Sequence, residues 1–155
     1  MDFEFHFTDE LELFRREVRG FINENALPEP MPHRLLTIPL PEVYRKGREV
    51  QRKLGVKGWF APNYPKEYGG AGLDTEHCLV LNQEFAAIRE QGRWVPMSQV
   101  SQILTAGLMA FGTEEQKRQL LVPLLKGDWE GWQCFTEPEA GSDLAALKAT
   151  AVRDG

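Results

Sequence analysis

The chain has 155 residues, of which 42% are apolar and 26% charged, with a formal charge of −5. That is the size of one ordinary soluble domain, large enough to bury a real core. The acidic balance, with no run of Lys or Arg longer than two, excludes nucleic-acid binding by bulk electrostatics.

No stretch of 18 apolar residues is present, so no membrane span is expected. The acidic start, Met1 to Glu4, has no apolar core of leader length, and a cytoplasmic protein is expected. Cys78 and Cys134 lack metal-ligand spacing and read as two reduced, mostly buried thiols. His6, His33 and His77 lie far apart, and no metal site is expected from them.

In chain order, Thr8 is the expected N-cap of a first helix, with Asp9 and Glu10 at the positive end of its dipole. Leu11, Phe14, Val18, Phe21 and Ile22 recur at helical spacing and form its core stripe. Residues 26–41 contain five prolines and read as an extended connection. Pro41 suits the first position of a second helix, which carries Val43, Tyr44, Val50 and Leu54 and is expected to stop at Gly55. Residues 58–72 are a loop dense in glycine, proline and aromatics. It reads as a ligand loop or as an aromatic-packed turn, and the residues favour the turn, because no strand precedes the glycines.

Asp74 caps a third helix whose apolar residues, Cys78 to Leu81, Phe85, Ala86 and Ile88, cover a wide arc. Pro96 opens a fourth, with Val100, Ile103, Leu104, Leu108 and Phe111 on one side and Gly112 as its stop. Thr113 and Gln116 match a capping box that starts a fifth. This last helix carries Leu120, Leu121, Leu124 and Leu125, with Pro123 expected to kink or loosen its last turn and Gly127 to end it. The pattern divides the chain into an all-helical domain, residues 1–128, and the beginning of a β-domain, residues 129–155. In the latter, Trp132 to Thr136 and Lys148 to Arg153 favour strand, and Asp154-Gly155 is a hairpin signal. The returning strand is absent, so the sequence reads as the N-terminal piece of a longer protein. The fold class is therefore mainly α, a helical bundle followed by the first strands of an incomplete β-domain.

The chemistry concentrates in Thr136-Glu137-Pro138-Glu139-Ala140-Gly141-Ser142-Asp143. Gly141 allows close backbone approach, and Thr136 and Ser142 place hydroxyls beside it. The same hydroxyls can also serve as simple turn caps. A carboxylate pair for hydrolysis, Glu137 with Asp143, has nothing around it to suggest such a site.

Three segments together resemble the acyl-CoA dehydrogenase family: Tyr64-Pro65-Lys66-Glu67-Tyr68-Gly69-Gly70-Ala71-Gly72-Leu73, then Gly112-Thr113-Glu114-Glu115-Gln116-Lys117, then Cys134 to Leu144 containing the Thr-Glu-Pro motif. The fold this implies is the family's N-terminal helical domain running into its middle β-domain. The implied activity is FAD-dependent α,β-dehydrogenation of an acyl-CoA thioester, in which a carboxylate takes the α-proton and the flavin accepts the β-hydride. By the same resemblance Phe135 lies along the flavin and Thr136 hydrogen-bonds the flavin ring near N5. Gly141 and Ser142 contact the cofactor pyrophosphate, and Ser142 also approaches the CoA portion. Gln99, Val100 and Ile103 match a wall of the acyl pocket, with ordinary core packing as the other reading.

The family's catalytic base belongs to a C-terminal helical domain, so no catalytic residue is assigned within residues 1–155, and Glu137 reads as structural. Two positions depart from the family pattern: Gln133, where many members have an aromatic, and Glu139, often glycine. The resemblance further implies an acyl-CoA substrate, an electron-transfer flavoprotein as acceptor and a homotetramer. The isolated chain is expected to be inactive, to bind flavin weakly and to expose apolar surface near Trp129 and Trp132. Two alternatives stay open: a non-catalytic helical interaction module, and a related flavoprotein acting on nitroalkanes or on acyl groups carried by pantetheine proteins.

Overall fold

The computed structural model describes residues 7–28, 41–96, 99–132 and 134–153, with only the backbone at 28 and at 99–101. Helix α1 spans Asp9–Asn25, and Thr8 caps it by accepting from the Leu11 amide at 3.3 Å. Its stripe of Leu11, Val18, Phe21 and Ile22 is buried, as the spacing predicts. Past Asn25 the chain enters a two-residue strand, β1 (Leu27–Pro28), which pairs antiparallel with β2 (Arg93–Trp94). No sequence pattern signals so short a pairing. It is positioned by tertiary contacts, among them Arg93 Nη2 donating to the Ile22 carbonyl at 3.3 Å.

Helix α2 spans Pro41–Lys57 and runs through Gly55 rather than stopping there. The stop is Gly58, at φ +69°. The Gly58 amide donates to the Gly55 carbonyl and the Trp59 amide to the Leu54 carbonyl, each at 3.0 Å, which is a Schellman closure. Gly55 has a different purpose: a Cβ there would lie 2.2 Å from the Lys126 carbonyl oxygen. Its bare backbone lets a later turn of the chain rest on α2. Tyr44 leaves the expected core stripe and is exposed, its hydroxyl donating to Glu130 at 2.9 Å.

The glycine-rich loop is closed by its own backbone bonds. It contains a 3-10 turn, Lys66–Tyr68, closed by Gly69 at φ +95°. The Gly72 amide returns to the Tyr64 carbonyl at 2.9 Å and the Leu73 amide to the Pro62 carbonyl at 2.8 Å. At the head of the loop Trp59 is buried and meets Phe14, Phe21 and Phe85 edge-on, with ring centroids 5.2 to 6.4 Å away. This aromatic cluster joins Val18, Leu54, Leu81 and Ile88 in the main core between α1, α2 and the next helix.

That helix, α3, spans Thr75–Glu90 and is capped by Asp74, which accepts from the His77 amide at 2.9 Å. It packs along α1. Its buried arc is narrower than expected, because Leu79 and Ala86 face outward. Within the contact with α1, the nearly buried Glu84 takes two bonds from Arg19, at 2.8 and 3.0 Å, and lies 3.2 Å from Arg15 Nε.

Helix α4 spans Gln99–Phe111 and ends at Gly112 as expected; its proposed opening after Pro96 involves residues 97 and 98, outside those described. Its apolar stripe divides: Leu104 and Leu108 are half-buried, whereas Ile103 and Phe111 are exposed. Helix α5 starts as Glu114–Gln116 with the full capping box, continues as a π-helical turn, Lys117–Leu121, and finishes as Val122–Leu125. Pro123 explains the π turn. It has no N–H to donate, and its ring crowds the carbonyl four residues earlier, so the ladder widens in the preceding turn. Leu121 and Leu125 pack with Ala61 and Tyr68 in a second, smaller core. Gly127, at φ +72°, ends the helix, and Arg48 Nη2 donates to the Gly127 and Asp128 carbonyls at 2.8 and 3.1 Å.

Two strand expectations fail. Neither the described residues of 129–136 nor 148–153 form a strand. A strand needs a neighbour to satisfy its amides and carbonyls, and none lies beside these segments among the described residues. The Asp154-Gly155 hairpin falls outside the described residues.

Candidate functional site

The segment carrying the Thr-Glu-Pro motif leaves the helical body at Gly131. This residue is buried, and a Cβ on it would stand 2.6 Å from Leu104 Cδ2 of α4. The missing side chain lets the segment lie on α4 before it turns outward. Trp129 and Trp132 flank this point and are 51% and 74% exposed, the apolar surface the sequence leads one to expect there. Cys134 is exposed, against the expectation of a buried thiol, because the segment that carries it has left the core. Cys78 is half-buried, and that burial, with the nearby Asp74 charge, pushes its thiol up.

Phe135 and Thr136 follow, both exposed. Glu137 and Ala140 then exchange backbone bonds, the Glu137 amide to the Ala140 carbonyl at 2.9 Å and the reverse at 3.2 Å. Pro138 and Glu139 form the tip of this tight turn. Beyond it Gly141, Ser142 and Asp143 are exposed, and the chain closes into a 3-10 turn, Leu144–Ala146. The Glu137 carboxylate reaches across to accept from the Lys148 amide at 2.9 Å and the Ala149 amide at 2.8 Å. Lys148 Nζ also pairs with Glu139.

The amides of Thr136, Gly141 and Ser142 donate to nothing among the described residues, and neither do the two hydroxyls. Open space surrounds the position a Gly141 Cβ would occupy. Free N–H and O–H donors around an unobstructed glycine suit an anionic group, so the donor set fits a pyrophosphate.

The structure brings Phe135, Thr136, Gly141 and Ser142 onto one exposed segment. Ile103 is 59% exposed on α4, and Gln99 and Val100 lie one turn earlier in the same helix. The tie between motif segment and α4 is the Gly131–Leu104 approach. An open groove of about 830 Å³ lies elsewhere, along Arg52, Lys57, Lys66 and Lys126 at the edge of the glycine loop. Sequence reading missed it, since its cations come from three separate elements. Among the described residues no group of three His, Cys, Asp or Glu could hold a metal, and no helix is long and apolar enough to cross a membrane.

Residues 8–128 match the family profile described as acyl-CoA dehydrogenase, N-terminal domain. The chain belongs to the acyl-CoA dehydrogenase family. Among similar proteins, acyl-CoA dehydrogenase FadE26 of Mycobacterium tuberculosis is 38% identical over 152 residues, covering 96% of this chain and 36% of that protein. The short-chain-specific acyl-CoA dehydrogenase of Clostridium acetobutylicum is 33% identical, covering 98% and 38%. The fold also matches the crystal structure of the ChsE4-ChsE5 complex from Mycobacterium tuberculosis, with a TM-score of 0.61, 35% identity and coverage of 98% and 36%. The chain thus spans little more than a third of the length of these three relatives, and its helices α1 to α5 fall within the residues matched to the family's N-terminal domain. The mainly α fold class stands.

Proposed function

We propose that this chain supplies the helical wall and first cofactor loop of an FAD-dependent acyl-CoA dehydrogenase. The observation that carries the reading is the exposed donor set of Thr136, Gly141 and Ser142 on a turn closed by Glu137 and Ala140. In this reading residues 1–128 form the helical domain and 129–155 open a β-domain. Thr136 Oγ1 donates to the flavin ring, and Phe135 lies along it. The Gly141 and Ser142 amides bind the pyrophosphate, and Ser142 also approaches CoA. Helix α4, which carries Gln99, Val100 and Ile103, borders the acyl chain.

Bound FAD supplies the hydride acceptor, and the substrate is an acyl-CoA. The chain's own part is to bind and orient, while the base that must stand across the substrate from the flavin is supplied elsewhere. The proton-abstracting carboxylate comes from outside residues 1–155, and these residues alone are inactive. Electron-transfer flavoprotein is the acceptor, and the cytoplasm is the working compartment. The active form is an oligomer. The related structure solved as a ChsE4-ChsE5 complex supports assembly between chains.

The test is titration of the chain with FAD, read by flavin fluorescence. Weak saturable binding is expected, and Thr136→Ala combined with Ser142→Ala, which removes both hydroxyl donors, should weaken it. Absence of saturable binding in the unmodified chain, or binding indifferent to both substitutions, refutes the reading.

A further inference from the structure

Among the described residues, Glu137 is the only side chain that ties the far end of the motif loop to its base by bonds to backbone. Its two carboxylate oxygens accept from two successive amides, Lys148 at 2.9 Å and Ala149 at 2.8 Å, 11 and 12 residues along the chain. The backbone exchange between Glu137 and Ala140 closes only the four-residue turn before Gly141. The 3-10 bonds, Ala146 amide to Asp143 and Leu147 amide to Leu144, order the loop locally but do not anchor it. The remaining long tie, Lys148 to Glu139, joins two side chains each 74% exposed. Such pairs contribute little, being screened and entropically costly. Gly141 and Ser142 are therefore held between two fixed points, the Glu137–Ala140 turn and the Glu137 carboxylate.

We infer that Glu137 is the positioning residue of the cofactor loop: its carboxylate, by gripping the Lys148 and Ala149 amides, presents the Gly141 and Ser142 amides to an anionic phosphate group. The geometry suits a carboxylate. Each of the two successive amides meets its own oxygen, and a carboxylate is acceptor on both. Bonds to an ionised acceptor are also the stronger kind. The grip explains why residues 148 and 149 do not read as a free strand edge, since their donors are already taken. Holding the loop before the ligand arrives lowers the ordering entropy that binding must overcome. The inference rests on the FAD reading for the identity of the ligand, but the grip itself does not.

The experiment compares the chain with Glu137→Gln, Glu137→Ala and, as a control on the same loop, Glu139→Gln. Glutamine keeps one acceptor oxygen, so effects should grade from Gln to Ala. Amide hydrogen exchange by NMR should show Lys148 and Ala149 protected in the unmodified chain and in Glu139→Gln, and unprotected in Glu137→Ala. Helical circular dichroism should be unchanged in all four. FAD titration should weaken roughly tenfold in Glu137→Ala, the loss expected for about one charge-assisted hydrogen bond, and less than about twofold in Glu139→Gln, whose pair is exposed. The Gly141 and Ser142 amide signals should shift with FAD in the unmodified chain and not in Glu137→Ala.

Equal exchange at 148 and 149 with and without the carboxylate overturns the grip. Protection lost in Glu137→Ala with FAD affinity and the Gly141 and Ser142 shifts unchanged overturns the positioning role. If the unmodified chain binds no FAD, the cofactor reading and the positioning role toward it both fall, while the exchange data still decide the grip.

Discussion

Replacing Gly55 with alanine separates helix propensity from packing. Gly55 lies inside α2, where propensity alone favours alanine by about 1 kcal/mol. The structure opposes this. The new Cβ would meet the Lys126 main chain, with its carbonyl oxygen at 2.2 Å, its carbonyl carbon at 2.3 Å and its Cα at 2.6 Å. A carbon and a carbonyl oxygen come no closer than roughly 3.3 Å. The turn at the end of α5 must therefore move about 1 Å off α2, against the bonds from Arg48 to the Gly127 and Asp128 carbonyls. Overpacking of this kind costs about 3 kcal/mol, leaving a net loss of about 2 kcal/mol after the propensity gain.

Gly20 is the matched control, in the interior of α1 with nothing within 4 Å of its Cβ position. Gly20→Ala should stabilise by about 0.5 to 1 kcal/mol. Urea unfolding followed by tryptophan fluorescence reads both. With a slope of about 2 kcal/mol per molar, the midpoint should fall by about 1 M for Gly55→Ala and rise by roughly 0.3 to 0.5 M for Gly20→Ala. A midpoint for Gly55→Ala equal to or above that of the unmodified chain would refute the close approach of α2 and Lys126.

Further expectations concern the joints between elements. Glu84→Gln leaves Arg15 and Arg19 without their shared carboxylate and should destabilise by about 1 to 3 kcal/mol, read in the same urea assay; a neutral result would mean that the α1–α3 contact does not depend on this cluster. Thr113→Ala removes half of the capping box and should cost about 1 kcal/mol, with the loss seen in helical circular dichroism on heating. The His77 amide, and then the His77 ring, hold the Asp74 carboxyl below its ordinary value, and the Tyr68 hydroxyl followed by Lys117 does the same for Glu114. Both groups bind protons more readily unfolded than folded. Their stabilisation is thus complete above the ordinary carboxylate range and lost as pH falls through their lowered folded values. Urea midpoints measured on acidification should decline less steeply in Asp74→Asn with Glu114→Gln; an identical slope would remove these two carboxyls from the acid response.

The sequence by itself determined what local chemistry controls. The caps at Thr8, Asp74 and Thr113, the buried stripe of α1 and the stop at Gly127 follow from hydrogen-bonding capacity and helical spacing, which act within a few residues. The motif was legible too, because Gly141 between Thr136 and Ser142 is a chemical pattern before it is a shape. Tertiary structure decided the rest. Gly55 looks like a stop and is a contact surface, since only the arrival of Lys126 reveals why no Cβ is tolerated there. Tyr44, Ile103 and Phe111 fit apolar stripes yet face outward, because periodicity marks a face without saying whether anything packs on it. The strands expected near Trp132 and Lys148 fail for the same reason. A strand is a relation between segments, and Glu137, reaching 11 residues along the chain, takes the very amides that a neighbouring strand would have used.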